Sequence, residues 1–189
     1  MANSLIKVAA VTAEDVCVRF DVPGEAKALL RSGIEPLQFL EALAAKKLYI
    51  AGIDFLAHAL PPREGIWWGC LCFQHACGNE MSAADKAAVT AAVQWVLQPN
   101  DHSRGAAKVQ AEAAGPASVA GVLAMAAYQT GPGIAVPGGP LIPAPLFGTA
   151  KSVANAVKLA CTKSDPARII QTQKSYLELG TGVAAGRFM

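Results

Sequence analysis

The chain has 189 residues, of which 53% are hydrophobic and 16% charged, and its formal net charge is +2. This length suits one ordinary domain, and the low charged fraction indicates a large buried core, a sizeable partner surface or both. The 16 basic residues form no run that would neutralise a row of phosphates, so nucleic acid is not an expected partner.

In the first part of the chain, nearly every segment shows the helical period of apolar residues. Thr12 is expected to cap a short helix that reaches Phe20, and a second one covers 24–33. The block 35–60 forms either one kinked helix or two helices that meet near 46–49. The Pro61–Pro62 pair ends this block, and a further helix is predicted from there to about Cys77.

The second part of the chain continues the same pattern. Ser82 caps a helix that ends before Pro99, and another runs from Asp101 to Gly115. The remaining three helices are predicted to begin at Pro116, at Thr149, which is expected to cap its helix, and at Asp165–Pro166. No segment alternates apolar and polar residues as an exposed strand would, so the sequence predicts an all-α fold of about eight helices.

We expect a single helical domain over 1–189, with a helical body at 1–130, a Pro/Gly-rich loop at 131–148 and a C-terminal helical pair at 149–189. DFLAHALPPREGIWWGCLC and AVQWVLQPNDHSRGAAKVQ both contain two apolar helices joined at a proline corner, and they are offset by about 40 residues. That offset is compatible with stacked, HEAT-like α-hairpins. A compact bundle is the other arrangement.

The location of the protein is inferred from its N-terminus and its cysteines. MANSLIKVAAVTAEDVCVRF lacks the basic start, apolar core and cleavage site of a signal peptide, and five cysteines without framework spacing are typical of reduced thiols. The charge-free region 113–150 is interrupted at Gly131 before it reaches the roughly 20 apolar residues of a membrane span. The expectation is a cytoplasmic protein without membrane insertion.

The stretch PREGIWWGCLCFQHACG concentrates residues that often carry chemistry. On a helix Cys70 and Cys77 share one face, whereas Cys72 and His75 share another, so these groups do not converge on one metal ion. Buried, unreactive thiols are therefore expected. Trp67 and Trp68 point to adjacent sides, so that one enters the core while the other packs on the preceding helix or stays at the surface, where it would anchor a partner protein.

A catalytic arrangement is harder to assemble from this sequence. Asp54 and His58 are spaced i and i+4 on one helix, and Glu64 is the nearest third group. These three residues define the alternative of a small metal-dependent enzyme, and Cys70 with Cys77 defines a thiol enzyme. Nucleophile elbows, HExxH, phosphate-binding loops and dinucleotide fingerprints are absent, so we predict no catalytic residues, metal or cofactor.

The loop Thr130–Gly148 is long, rich in proline and free of charge. Its apolar residues favour either a strap packed over the chain's own helices or a segment that binds a partner. The candidate partner-binding residues are Trp67 and Trp68 together with Ile134, Val136, Leu141, Ile142 and Phe147 of the loop.

Four segments together resemble an uncharacterised family of small bacterial proteins encoded near type VI secretion genes: FLAHALPPREGIWWGCLC, AAVQWVLQPNDHSR, PLFGTAKSVANAVKLAC and DPARIIQTQKSYLELGTGVAAGRF. The resemblance covers most of the chain from Pro36 onward. It implies a bacterial cytoplasmic accessory role and assigns no activity to any residue.

The function expected from these observations is that of a non-enzymatic adaptor or chaperone that binds another protein, such as type VI secretion cargo. A small metal-dependent or thiol enzyme is the alternative from another functional class. A toxin immunity protein is a further alternative, which would also act by binding another protein. The sequence leaves the oligomeric state open.

Overall fold

The computed structural model describes residues 4–78, 80–134 and 138–188. Regular structure in this part of the chain consists of ten α-helices, one 3-10 helix at Pro166–Arg168 and two short strands, which confirms the predicted all-α fold. The α-helices are α1 (Ala13–Cys17), α2 (Gly24–Lys27), α3 (Pro36–Ala45), α4 (Tyr49–Ala59), α5 (Pro62–Cys77), α6 (Ala83–Leu97), α7 (Asp101–Ala114), α8 (Val119–Tyr128), α9 (Gly148–Cys161) and α10 (Ile169–Ala184).

Side-chain caps begin several helices where the sequence predicts them. The Asp15 N–H donates to the Thr12 hydroxyl at 3.3 Å at the start of α1, and the Asp85 N–H donates to the Ser82 hydroxyl at 3.0 Å at the start of α6. Each bond satisfies an N–H that has no partner within the first helical turn. At the other end of α5, Gly78 has a φ of 52° and stops the helix as expected.

The starts of α8, α9 and α10 differ from the sequence prediction. α10 begins at Ile169 rather than at Asp165–Pro166, because Pro166–Arg168 form a 3-10 helix. α8 begins at Val119 rather than at Pro116, because the Ser118 hydroxyl caps it by accepting the Gly121 N–H at 3.1 Å. α9 begins at Gly148, and Thr149 does not cap it. The Thr149 hydroxyl donates instead to the Ala126 carbonyl oxygen of α8 at 3.4 Å, which ties the two helices together.

The block 35–60 forms two helices. α3 ends at Ala45, and Lys47 then has a left-handed backbone with a φ of 59°. The Leu48 N–H donates to the Leu43 carbonyl oxygen at 2.9 Å, which closes the end of α3. The turn redirects the chain so that α4 packs back against α3.

Three helices, α5, α8 and α9, pack against one another at the centre of the molecule. α4 and α10 pack on one side of this centre, and α6 and α7 pack on α8. In an open stack of hairpins each unit contacts only its neighbours, whereas the last helix, α10, packs here on α4 and α5. The molecule is therefore a compact bundle rather than a HEAT-like array.

The segment 131–148 contains a short antiparallel pairing that the sequence does not reveal. In it, β1 (Gly133–Ile134) pairs with β2 (Ile142–Pro143), with Gly133 opposite Pro143 and Ile134 opposite Ile142. A side chain at Gly133 would collide with the Ile142 carbonyl oxygen and with Leu141, so the close approach requires glycine. The pairing joins the two ends of the loop between α8 and α9.

Candidate functional site

The loop presents four large apolar side chains to solvent within a short distance along the chain. Leu141, Ile142, Leu146 and Phe147 are 54%, 51%, 77% and 37% exposed, and together we call them the loop patch. The surrounding sequence carries no charged residue from 113 to 150. Apolar residues clustered in this way are typical of surfaces that bind a partner, whereas single exposed apolar residues are ordinary.

The exposure of these residues overturns one of the two expectations for the loop. Leu141, Ile142 and Leu146 do not form a strap buried against the helices, because each of these residues is more than half exposed. The β1–β2 pairing orders the backbone of this segment, and both residues of β2, Ile142 and Pro143, are exposed.

Phe147 differs from the rest of the loop patch because it also contacts the helical body. Its ring lies edge-on to the His58 ring at a centroid distance of 6.4 Å, and the Arg19 guanidinium carbon lies 5.9 Å from its centroid. Phe147 has a left-handed backbone with a φ of 55° and precedes the first residue of α9. The junction between loop and helix is therefore held by an aromatic residue in a conformation that such residues rarely adopt.

The two adjacent tryptophans have different environments. Trp68 is completely buried, and its indole N–H donates to the Tyr176 carbonyl oxygen at 2.8 Å, so its inclusion among the candidate partner-binding residues was wrong. Trp67 is half-buried, and its indole N–H donates to the Phe188 carbonyl oxygen at 2.7 Å. No hydrogen bond or ring contact joins Trp67 to the loop patch among the described residues.

For the remaining two candidates in the loop, Ile134 and Val136, the structure gives less information. The Ile134 backbone pairs in β1, and Val136 lies outside the described residues. Of the predicted loop residues, Leu141, Ile142 and Phe147 are exposed, and Leu146 is a fourth exposed apolar residue of the same loop. Leu146 was visible in the sequence as an apolar loop residue, but no pattern distinguished it.

Asp54, His58 and Glu64 do not form the triad of the enzyme alternative. The Asp54 carboxylate accepts a hydrogen bond from Lys158 Nζ at 2.7 Å, and Glu64 pairs with Lys7 at 3.7 Å. His58 contacts the Asp54 backbone carbonyl oxygen rather than its carboxylate. Groups of three or more metal-binding side chains do not occur in the described part of the chain.

The cysteines are in environments that suppress thiolate formation. Burial raises the pKa of the Cys70 thiol from 9.0 to about 12, and it raises the pKa of Cys77 to a smaller extent. Burial also raises the pKa of Cys17 and of Cys161 to about 11. A reactive cysteine needs a lowered pKa, so these thiols are structural in character.

Arg19 is the residue of this region that sequence reasoning missed. It follows α1, and its guanidinium donates to the His58 carbonyl oxygen at 2.9 Å and to the Asp15 carbonyl oxygen at 3.1 Å. The bond to His58 joins residues that are far apart in sequence, and no local spacing predicts it.

The fold and the loop define a small all-α protein with an uncharged loop that exposes four large apolar residues. A family model matches residues 39–184, and the chain belongs to this family, which is described as a family of unknown function (DUF6931). No curated protein and no solved structure matches the chain. Among the described residues, no helix is both long enough and apolar enough to cross a membrane.

Proposed function

We propose that this chain is a non-enzymatic accessory protein that binds another protein through the loop patch. The observation that supports the proposal most is the exposure of Leu141, Ile142, Leu146 and Phe147 on one uncharged loop. A protein partner that covered these side chains would remove apolar area from water at about 25 cal/mol per Å². The short β1–β2 pairing supports the same role, because an ordered loop loses less conformational entropy on binding.

A more specific form of the proposal is an adaptor or chaperone for type VI secretion cargo in a bacterial cytoplasm. The resemblance of four segments of the chain to proteins encoded near such genes is its basis. A toxin immunity protein would use an apolar surface in the same way, and the identity of the captured partner would separate the two roles. The enzyme alternative has no observation in its favour, because Asp54, His58 and Glu64 have other partners.

The proposal is tested by affinity capture from an extract of the source cells, followed by mass spectrometry. The test variant replaces Leu141, Ile142 and Leu146 with serine. We expect it to lose the captured partner, because a binding centre made of such side chains contributes about 2 kcal/mol or more, which is on the order of 30-fold in affinity. Its thermal unfolding should match that of the wild type, since all three side chains are exposed.

A matched control replaces three apolar residues that are equally exposed but lie on separate helices. Leu97, Val109 and Ile170 are 60%, 60% and 54% exposed, and their substitution by serine should leave capture intact. Loss of the partner in both triple variants would point to general surface hydrophobicity and not to the loop patch. A wild-type chain that captures no stoichiometric protein would contradict the proposal.

A further inference from the structure

A cleft of about 550 Å³ is lined in part by two residues of the loop patch, Leu146 and Phe147. The N-terminal segment, the Pro61–Pro62 corner and the loop end at 144–150 form its walls. Its volume falls within the range of sites that enclose small molecules, which is roughly 300 to 1,000 Å³. Most of its lining is apolar, and Ala10, Leu60, Pro61 and Leu146 are among the apolar residues.

The charge in the cleft has one sign. Arg19 is the lining residue that carries a full positive charge, and no carboxylate is present among the described residues that line the cleft. The bonds from Arg19 to the carbonyl oxygens of Asp15 and His58 hold its guanidinium in place. They leave three of its five N–H groups without a hydrogen-bond partner among the described residues. A fixed guanidinium with free donors suits a single anionic group.

His58 supplies a second polar group, and this group is buried and unpartnered. The residue is 4% exposed and also lines the cleft. Its Nδ1 lies 2.7 Å from the Asp54 carbonyl oxygen, which can only accept, so Nδ1 carries the proton. In the neutral ring Nε2 is then an acceptor, and it has no partner in the described structure. Buried polar atoms are rarely left in this state, and each such atom calls for an explanation.

Phe147 connects the loop to the polar groups of the cleft. Phe20 stacks on the His58 ring at 4.7 Å, whereas Phe147 contacts it edge-on and also lines the cleft. The left-handed backbone of Phe147 is maintained at a cost by its surroundings, and such residues are concentrated at binding sites. A rotation of the Phe147 side chain would remove its edge-on contact with the His58 ring and change the surroundings of that ring in the cleft.

We propose that the cleft binds a small monocarboxylate with an apolar tail. The carboxylate pairs with the Arg19 guanidinium and with Nε2 of His58, and the tail lies along the wall formed by Leu60, Pro61 and Leu146. The mostly apolar lining favours an organic anion with an apolar tail over free phosphate. This site shares Leu146 and Phe147 with the loop patch. The groups proposed to bind the carboxylate, Arg19 and His58, are not members of that patch.

Binding of a carboxylate at Nε2 requires a proton there. Burial lowers the pKa of His58 below its ordinary value, and the neighbouring Lys151 of α9 and Arg19 lower it further. Asp54 of α4 acts in the opposite direction, through its carbonyl oxygen and its charge. The free ring is therefore neutral at neutral pH, and the bound carboxylate stabilises the imidazolium. Ligand binding should therefore be accompanied by proton uptake from solvent.

The experiment is isothermal titration calorimetry of the full chain at neutral pH with butanoate, hexanoate, octanoate and decanoate. Affinity should rise with tail length, and octanoate should bind at least about tenfold more tightly than octanol, which lacks the charge. Repeating the octanoate titration in two buffers of different ionisation enthalpy measures the proton uptake. Absence of saturable binding at millimolar carboxylate, or equal binding of octanol, would overturn the proposal.

Substitutions at Arg19 and His58 test whether these two residues contact the bound carboxylate. Arg19→Gln should weaken octanoate binding by about 10- to 100-fold, as expected when a charge-assisted hydrogen bond is lost. Arg63→Gln is the matched control, because Arg63 is exposed, bonds the Val96 carbonyl oxygen and does not line the cleft. His58→Asn keeps a donor near Nδ1 and removes Nε2, so proton uptake should disappear.

These variants also separate this proposal from that of the protein partner. Arg19 is not part of the loop patch, so Arg19→Gln should leave partner capture intact while it weakens octanoate binding. If His58→Asn does not fold, as judged by its thermal unfolding, Arg19→Gln still decides the outcome. Unchanged octanoate affinity in Arg19→Gln would refute the assigned site.

Discussion

Gly180 of α10 lies where the absence of a side chain lets two helices approach. A Cβ at this position would stand 2.5 Å from Trp68 Cε2 and 2.7 Å from Leu56 Cδ2, both of which belong to fully buried side chains. Neither neighbour has room to move, because Trp68 is also held by its bond to the Tyr176 carbonyl oxygen. The glycine is thus part of the reason that Trp68 is the buried tryptophan.

Substitution of Gly180 by alanine is expected to destabilise the protein. The added methyl group overpacks the contact, at a cost of about 1 to 3 kcal/mol, which outweighs the helix-propensity gain of about 1 kcal/mol. Urea unfolding followed by circular dichroism measures the difference in the free energy of unfolding.

Gly105→Ala is the matched control for this prediction. Gly105 is an exposed residue inside α7, and nothing lies within 4 Å of a Cβ built there. The same chemical change should therefore stabilise the protein by about 0.5 to 1 kcal/mol. If Gly180→Ala also stabilised the protein, α10 could not approach Trp68 as closely as the structure indicates.

At the scale of residues, the sequence predicts that a buried position exists but does not determine which of two neighbouring residues occupies it. The pattern indicates that one of Trp67 and Trp68 enters the core, but the two side chains are only about 100° apart on the helix. The choice depends on Gly180 and Tyr176, which come from a distant part of the chain. Local periodicity contains no information about either contact.

At the scale of elements, α6 shows how the structure refines a pattern of small residues. At the helical period, Ala88, Ala91 and Trp95 fall on one face of α6. In the structure Ala88 is completely buried, whereas Ala91 is half-buried and lines a groove between α6 and α7. The helix therefore packs its neighbours through Ala88 and leaves Ala91 at the edge of the contact.

Replacement of Ala88 by leucine should cost about 1 to 3 kcal/mol of unfolding free energy, because a close-packed helix contact has no space for the larger side chain. Thermal unfolding followed by circular dichroism provides the measurement.

Ala91→Leu makes the same change at the groove, where the larger side chain has room, and we expect a cost below that of Ala88→Leu. Equal losses in the two variants would mean that the groove is closed in solution. No loss in Ala88→Leu would place that residue at the surface.

Helix boundaries were predictable where a local side chain sets them. Thr12 and Ser82 cap their helices through bonds to residues three positions later, and a sequence pattern contains both partners. Thr149 has the same local signal, but its hydroxyl bonds α8 instead. The difference lies in tertiary packing, which a short window of sequence does not describe.

At the scale of the whole molecule, the sequence predicts the helical class and leaves the arrangement open. The apolar stripe of α9, with Val153, Ala156, Val157 and Ala160, is buried as the pattern indicates. The sequence does not reveal that this helix packs on α4, α5 and α8, because those contacts join distant parts of the chain. The candidate site shares this limit: the loop was recognisable, but its exposure and the contact with Arg19 depend on the assembled bundle.

The arrangement predicts that the C-terminal helical pair is required for folding of the helical body. Removal of residues 148–189 would expose Leu56 and Trp68, which are fully buried, and would leave the Trp68 indole N–H without the Tyr176 carbonyl oxygen. Stabilities of about 5 to 15 kcal/mol do not survive the loss of two core helices. The chain 1–147 should therefore lose its near-ultraviolet circular dichroism and its cooperative thermal transition.

The full-length chain with serine at 141, 142 and 146 is the control for this truncation, because it changes the loop without removing a core helix. It should unfold in one cooperative transition at the wild-type temperature. A chain 1–147 that still unfolded cooperatively with a native tryptophan signal would show that the helical body is a folding unit by itself. In that case the segment 131–148 would connect two units, and α9 and α10 would not be part of one common core.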